Sequence, residues 1–81
     1  MRFKFTRPSR KHKIGRAHVK AAMVNAVLVE IAPSKVFGFM GMFHGTDDRG
    51  VPLEIGVIGA DEDVNLWLIM HVMPLNYDEK E

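Results

Sequence analysis

The sequence predicts an α+β fold: an N-terminal strand, one or two helices, and then a three-stranded antiparallel meander with the helices on one face of the sheet. Three observations predict it. Residues 2–6 alternate between polar and apolar as a strand does. Residues 16–27 carry apolar side chains at helical spacing, and residues 51–58 alternate again beyond a strong turn signal. Elements in that order are typical of helices packed on an antiparallel sheet.

The composition is that of one small domain. A chain of 81 residues supports a single core, so we expect residues 1–81 to form one domain, with 75–81 a polar tail that frays. The absence of cysteine excludes disulfides and thiolate metal sites. Neither a secretory signal nor an apolar run of bilayer length is present, so we expect a cytoplasmic protein without membrane contact.

The first strand has Phe3 and Phe5 on one face and cations on the other, and Pro8 ends it. Ser9 is placed to cap a short helical turn, which Gly15 closes because glycine adopts the left-handed conformation at little cost. The second, longer helix is predicted over residues 16–27. Its buried face consists of apolar residues at helical spacing: Val19, Met23 and Ala26. The opposite face carries His18, Ala21 and Asn25.

The meander begins with residues 36–45, a Phe- and Met-rich strand, and the turn 45–50 joins it to the strand 51–58. Residues 66–73 are apolar on both faces, which predicts a central strand antiparallel to 51–58. Its one polar side chain, His71, is predicted to share a face with Trp67, Ile69 and Met73.

Charge is divided unevenly along the chain. Residues 1–20 form a basic segment with eight Lys and Arg and no carboxylate, although the formal net charge of the whole chain is only +1. Such asymmetry indicates a polyanionic partner, most often nucleic acid, and the simpler alternative is a solvated basic face. The residues predicted to bind nucleic acid are Arg7, Arg10, Lys11, Lys13, Arg16, His18 and Lys20.

The stretch Pro8-Ser9-Arg10-Lys11-His12-Lys13-Ile14-Gly15-Arg16-Ala17-His18-Val19, read beside the meander, resembles the small RelE-superfamily toxins of bacterial type II toxin–antitoxin systems, and the BrnT branch in particular. In that branch a helix ending in Lys-His-Gly-Val precedes a second amphipathic helix, and residues 11–15 occupy the equivalent place. The 45–50 hairpin and the alternating strand after it are similar to that family's sheet. The resemblance implies a cytoplasmic endoribonuclease that a protein antitoxin inhibits.

The last strand departs from the family pattern. Relatives commonly end it in a Ser-Ala-Arg-type segment, whereas this chain has His71-Val72-Met73-Pro74 followed by an acidic tail. The family's catalytic arginine therefore has no counterpart. Two interpretations stay open: an inactive relative, or one in which His71 has taken over acid–base work.

A ribonuclease without a metal needs a base for the 2′-hydroxyl, a cation for the phosphorane and an acid for the leaving oxygen. The predicted catalytic residues are His71, His12, Glu54 and Arg49. His44 is a further candidate, but the register at the 45–50 turn decides whether it shares a face with Glu54. No metal site and no cofactor are predicted, since the spacing of His12 and His18 does not suit zinc.

Two other functions fit the same residues. The first is a non-catalytic nucleic-acid-binding module that uses the basic segment, and the second is a small interaction or dimerisation protein with a Met- and Phe-rich interface. Phe37, Phe39 and Phe43 share one strand face, where they either stack on bases or, as we favour, join the core.

Overall fold

The computed structural model describes residues 2–34, 38–60 and 63–76, which form a five-stranded sheet and one α-helix. The elements are β1 (Arg2–Phe5), a 3₁₀ turn (Pro8–Arg10), α1 (Arg16–Val24), β2 (Val27–Ser34), β3 (Gly38–Thr46), β4 (Pro52–Ala60) and β5 (Asp63–Pro74). The order across the sheet is β1-β5-β4-β3-β2. β1 runs parallel to β5, and the other neighbours are antiparallel. Within the described ranges, no helix has the length and apolar character needed to cross a membrane.

The fold is α+β, but the predicted architecture is wrong. A three-stranded meander was expected, whereas the sheet is mixed and has β2 and β1 at its two edges. One α-helix, α1, covers one face of this sheet. The predicted pairing of 51–58 with 66–73 is confirmed, because β4 and β5 are antiparallel neighbours. The predicted start of the strand 36–45, at residues 36–37, lies outside the described residues, and so does the part of the predicted tail at 77–81.

The helix was predicted to run to Val27 but ends at Val24, where Asn25 has left the helical conformation. The Asn25 side chain donates from Nδ2 to the Thr46 carbonyl and accepts the Thr46 N–H at Oδ1, both at 2.8 Å. These two bonds attach the end of α1 to β3. The chain then continues as β2, whose Val and Ile residues favour a strand and whose Pro33 is tolerated because β2 is an edge.

The core lies between α1 and one face of the sheet, the covered face. Its fully buried side chains come from α1, β4 and β5: Val19, Ala22, Leu53, Ile55, Val57, Ile69 and Val72. The predicted burial of Val19 is confirmed, whereas Met23 and Ala26 are only partly buried. Gly45 allows the close packing of α1, since a Cβ there would lie 2.2 Å from the Ala22 carbonyl oxygen.

The turn between β3 and β4 has the chemistry that its sequence predicted. The buried Asp47 carboxylate accepts the backbone N–H groups of Arg49 at 2.8 Å and Val51 at 3.0 Å. It also accepts two bonds from the Arg49 guanidinium, at 2.6 and 3.0 Å. Gly50 follows with a φ of 81°, a left-handed conformation that glycine adopts without strain. The turn therefore fixes the β3–β4 register.

Candidate active site

Three polar side chains meet on the sheet face opposite α1, the open face. The Glu54 carboxylate binds two imidazoles: Oε1 lies 3.1 Å from His71 Nε2, and Oε2 lies 3.4 Å from His44 Nε2. We call these three residues the His–Glu–His cluster. Their side chains are 25–34% exposed, so they are reachable from solvent without being fully hydrated.

The register of three strands brings the cluster together. His44 on β3 lies directly opposite Glu54 on β4, and His71 on β5 lies opposite Gly56, two residues further along β4. Residues two apart in a strand share a face, so all three side chains point the same way. A Cβ at Gly56 would lie 3.1 Å from the His71 Cβ and 2.7 Å from the Met40 sulfur. Glycine thus leaves space beside His71 that the Met40 thioether fills.

A β-bulge puts His71 on the open face. Val57 pairs with Ile69 and Gly56 with His71, so Met70 is an extra residue on β5. The bulge reverses the alternation: Ile69 is buried in the core, whereas His71 faces the other way. The prediction that His71 shares a face with Trp67 and Ile69 is therefore wrong, because it assumed unbroken alternation. Bulges are frequent beside active sites, where they re-aim a side chain.

Hydrogen bonding to one carboxylate gives both imidazoles the same tautomer. A carboxylate accepts hydrogen bonds and does not donate them, so the hydrogen lies on Nε2 of His44 and of His71. The nitrogen that exchanges protons in each ring is then Nδ1. A neutral ring can accept a proton there, and a protonated ring can donate one. The arrangement can therefore supply an acid and a base, with Glu54 holding both rings.

The structure brings together two of the four predicted catalytic residues, His71 and Glu54. Arg49 instead binds Asp47 in the β3–β4 turn, and His12 lies in the turn that follows the 3₁₀ turn. His44 completes the cluster. The signal for it was the length of the turn: with Thr46 opposite Pro52, the register carries His44 to Glu54. Counting back from the pair that closes the turn gives the partner of His44, but the sequence alone does not specify which pair that is.

The residues predicted to bind nucleic acid are divided between the region of the 3₁₀ turn and α1. Arg10 ends the 3₁₀ turn and Arg7 and Lys11 flank it, and this turn packs against β5. Lys20 is exposed on α1. His18 is bound to Asp48, with Nδ1 2.6 Å from the carboxylate. This hydrogen bond lowers the pKa of Asp48.

The aromatic residues of β3 divide between core and surface. Phe43 packs against the core, as favoured, whereas Phe39 is 70% exposed. Phe37 lies outside the described residues.

One group of side chains has the spacing of a metal site: ligand atoms of His18, Asp47 and Asp48 lie within 4.8 Å of one another. Asp47 is a poor ligand, because its oxygens already accept bonds from the Arg49 guanidinium and from two backbone N–H groups. Burial alone would raise the pKa of Asp47, but these bonds outweigh burial and lower the pKa to about 2. The carboxylate therefore serves the turn.

Comparison with known proteins does not identify the chain. No protein-family model, curated protein or solved structure matches it. The likeness to the RelE superfamily thus rests on the sequence stretch 8–19 and the hairpin alone, and it stays a prediction.

Proposed function

We propose that this protein is a metal-independent endoribonuclease in which His44, Glu54 and His71 perform acid–base catalysis on RNA. The observation that carries the proposal is the bridging of two imidazoles by the two oxygens of one carboxylate. The side chains face away from the core, on a surface that α1 does not cover. A structural role alone would not require two histidines on one acceptor in a partly exposed position.

The reaction proposed is transfer of the phosphodiester to the 2′-oxygen. One imidazole takes the 2′-hydroxyl proton at Nδ1 while the 2′-oxygen attacks phosphorus, and the bond to the 5′-oxygen breaks. The other imidazole, protonated, gives its proton to that 5′-oxygen. The products are a 2′,3′-cyclic phosphate and a 5′-hydroxyl end. Glu54 holds both rings and stabilises the positive one, and the chemistry needs no metal.

The substrate class follows from the positive charge of the basic segment, residues 1–20. Eight cations lie in residues 1–20, and the 3₁₀ turn among them packs against β5, the strand that carries His71. A polyanion held by this segment would be held near the cluster. The requirement for a 2′-hydroxyl selects RNA over DNA.

The biological role we propose is that of a toxin in a bacterial type II toxin–antitoxin system, held in check by a protein antitoxin. The resemblance of residues 8–19 supports this role. The edge strand β2 supports a protein partner, because it exposes Val27, Leu28 and Ile31 by more than half. The same edge favours a second candidate, a protein whose activity is interaction or homodimerisation rather than cleavage.

Cleavage of a single-stranded RNA by purified variants tests the proposed chemistry. We expect Glu54→Gln and His71→Gln each to lower the rate by about 10²-fold or more, the usual scale for a general acid or base. Their melting temperatures should stay near that of the wild type. Chelators should have no effect, and the products should carry cyclic phosphate ends.

The chain offers matched controls for both variants. Glu30→Gln removes an exposed carboxylate from the same face, since Glu30 on β2 lies opposite Met42. His12→Gln removes a histidine outside the cluster. Equal losses in Glu54→Gln and Glu30→Gln would refute the assignment. Loss of stability in His71→Gln without a specific loss of cleavage would make His71 a structural residue.

Expression in bacteria tests the toxin role separately. Induction of the chain should arrest growth and degrade cellular RNA, and co-expression of the neighbouring gene product should restore both. Self-association in solution with RNA left intact would favour the second candidate.

A further inference from the structure

The first twenty residues fold around a surface pocket of about 350 Å³. The pocket lies where β1, the 3₁₀ turn and the start of α1 meet. Its lining consists of three cations with apolar and small residues between them: Phe5, Ser9, Arg10, Lys13, Ile14, Gly15 and Arg16. No lining residue carries a carboxylate. The pocket has the volume of an ordinary small-ligand site.

The three cations are free to bind an anion. Arg10 donates to the Phe5 carbonyl at 3.3 Å, a single bond that leaves most of its guanidinium donors unused. The Arg16 guanidinium lies 5.7 Å from the centre of the Phe5 ring. Within the described ranges, neither these arginines nor Lys13 forms an ion pair with a carboxylate. Like charges gathered around one concavity repel each other, and a bound anion removes that repulsion.

Lys13 adopts a backbone conformation that lysine rarely takes. Its φ is 56°, the only positive value among the described non-glycine residues. This left-handed conformation is disfavoured by the Cβ, and glycine or asparagine would adopt it at lower cost. The strain is retained at a residue that lines the pocket and supplies one of its three charges.

We propose that this pocket binds a phosphate group of the RNA substrate. Arg10, Lys13 and Arg16 would surround the phosphate oxygens, and the Phe5 ring and Ile14 would contact the adjoining nucleoside. The identity of the ligand rests on the proposed function. The inference goes beyond it by separating three pocket cations from the other basic residues, and by giving the path of the RNA. Phe5 packs against the core, on the covered face, whereas His71 is on the open face. An RNA strand that is bound at both the pocket and the His–Glu–His cluster therefore passes around the β1 edge of the sheet.

Binding to RNA is measured in a Glu54→Gln background, so that failure of the cleavage chemistry does not affect the result. The probe is a labelled single-stranded RNA of about 12 nucleotides, followed by fluorescence anisotropy at several salt concentrations. The pocket variant is Arg10→Ser/Lys13→Ser. The matched control, Lys11→Ser/Lys20→Ser, removes the same charge from residues outside the pocket lining.

We expect the pocket variant to weaken binding by more than about tenfold and to reduce the salt slope by about 0.7, the value for one phosphate contact on a single strand. The control should lose less. Inorganic phosphate and a mononucleotide should compete with RNA for binding to the control but not to the pocket variant. If the mononucleotide occupies the pocket at a much lower concentration than the RNA does, a free nucleotide is the ligand instead. Equal losses in the two double variants would overturn the proposal, because net charge alone would then explain them.

Lys13→Gly separates binding from folding. Glycine relieves the left-handed strain, so this variant should melt at a higher temperature than the parent while binding RNA more weakly. A variant that gains stability and keeps full affinity would contradict the role of Lys13. If the double variant fails to fold, this single substitution still tests the pocket.

Discussion

The two faces of the sheet are built from the same strands and differ in the side chains they carry. The covered face consists of side chains such as Leu53, Ile55 and Ile69, which are fully buried against α1. The open face carries Glu54 with its two imidazoles and the Met40 thioether. β4 supplies both faces by simple alternation. β5 also supplies both, but its bulge at Met70 decides that His71 lies on the open face while Ile69 and Val72 lie on the covered face. The comparison teaches that a single extra residue in a strand can move a titratable side chain from the core face to the open face.

The largest effect is expected from a truncation on the covered face. Ile69→Ala leaves a cavity beside α1 and should lower the free energy of unfolding by about 2–5 kcal/mol. Met73→Ala, on the same strand but on the open face, removes a half-buried side chain and should cost clearly less. Urea unfolding of the two variants gives the comparison. Equal costs would mean that the open face is covered in solution.

The next largest difference in stability is expected between alanine substitutions of two glycines, one on each face. Gly45→Ala sets a Cβ against the Ala22 carbonyl of the helix backbone, so α1 must move, at a cost of about 1–3 kcal/mol. Gly56→Ala meets the Met40 thioether, which can rotate away, so the cost in stability should be smaller.

The activities of the same two variants should reverse that order. Gly56→Ala crowds His71 and should reduce RNA cleavage in protein that is still folded, whereas Gly45→Ala should reduce cleavage only by unfolding. Thermal melting and cleavage rates on both proteins test this, and a Gly56→Ala protein with full activity would argue against the proposed site.

The smallest effect concerns the turn that sets the register of both faces. The pKa of Asp47 is lowered from 3.8 to about 2, since the hydrogen bonds that the carboxylate accepts outweigh its burial. A lowered pKa stabilises the fold above the unfolded value of 3.8, and this contribution is lost as the pH falls through about 2. Asp47→Asn should therefore melt below the wild type at pH 7. The difference should shrink between pH 4 and pH 2, and a constant difference would contradict the assignment.

Alternation and turn chemistry made part of the fold predictable. Phe3 and Phe5 indicated β1, the run 51–58 indicated β4, and Asp47 and Gly50 indicated the turn. The start of β2 was missed because Ala26 and Val27 continue the apolar pattern of α1. The side chain that ends the helix, Asn25, bonds to a residue more than twenty positions away. Such a contact has no local signal.

The candidate site was half predictable for a related reason. Glu54 and His71 were chosen as the titratable residues of apolar strands, and they do meet. His44 depended on the turn register, which the sequence left open. The bulge at Met70 was not foreseen, because nothing in Ile69-Met70-His71 departs from an ordinary strand. Cross-strand register is a property of the whole sheet, and local patterns do not specify it.

The parallel pairing of β1 with β5 joins the two described strands that lie farthest apart in the sequence. Arg2 pairs with Leu66 and Phe5 with Ile69, so the first strand of the described sheet pairs with the fifth. In the described sheet the neighbour of β1 is β5, so β1 cannot pair until β5 has been synthesised. Contacts between such distant segments form late, because closing the long loop costs chain entropy. His71 is also made at that stage. The basic segment around β1 therefore lacks its pairing strand until β5, which also carries His71, has been made.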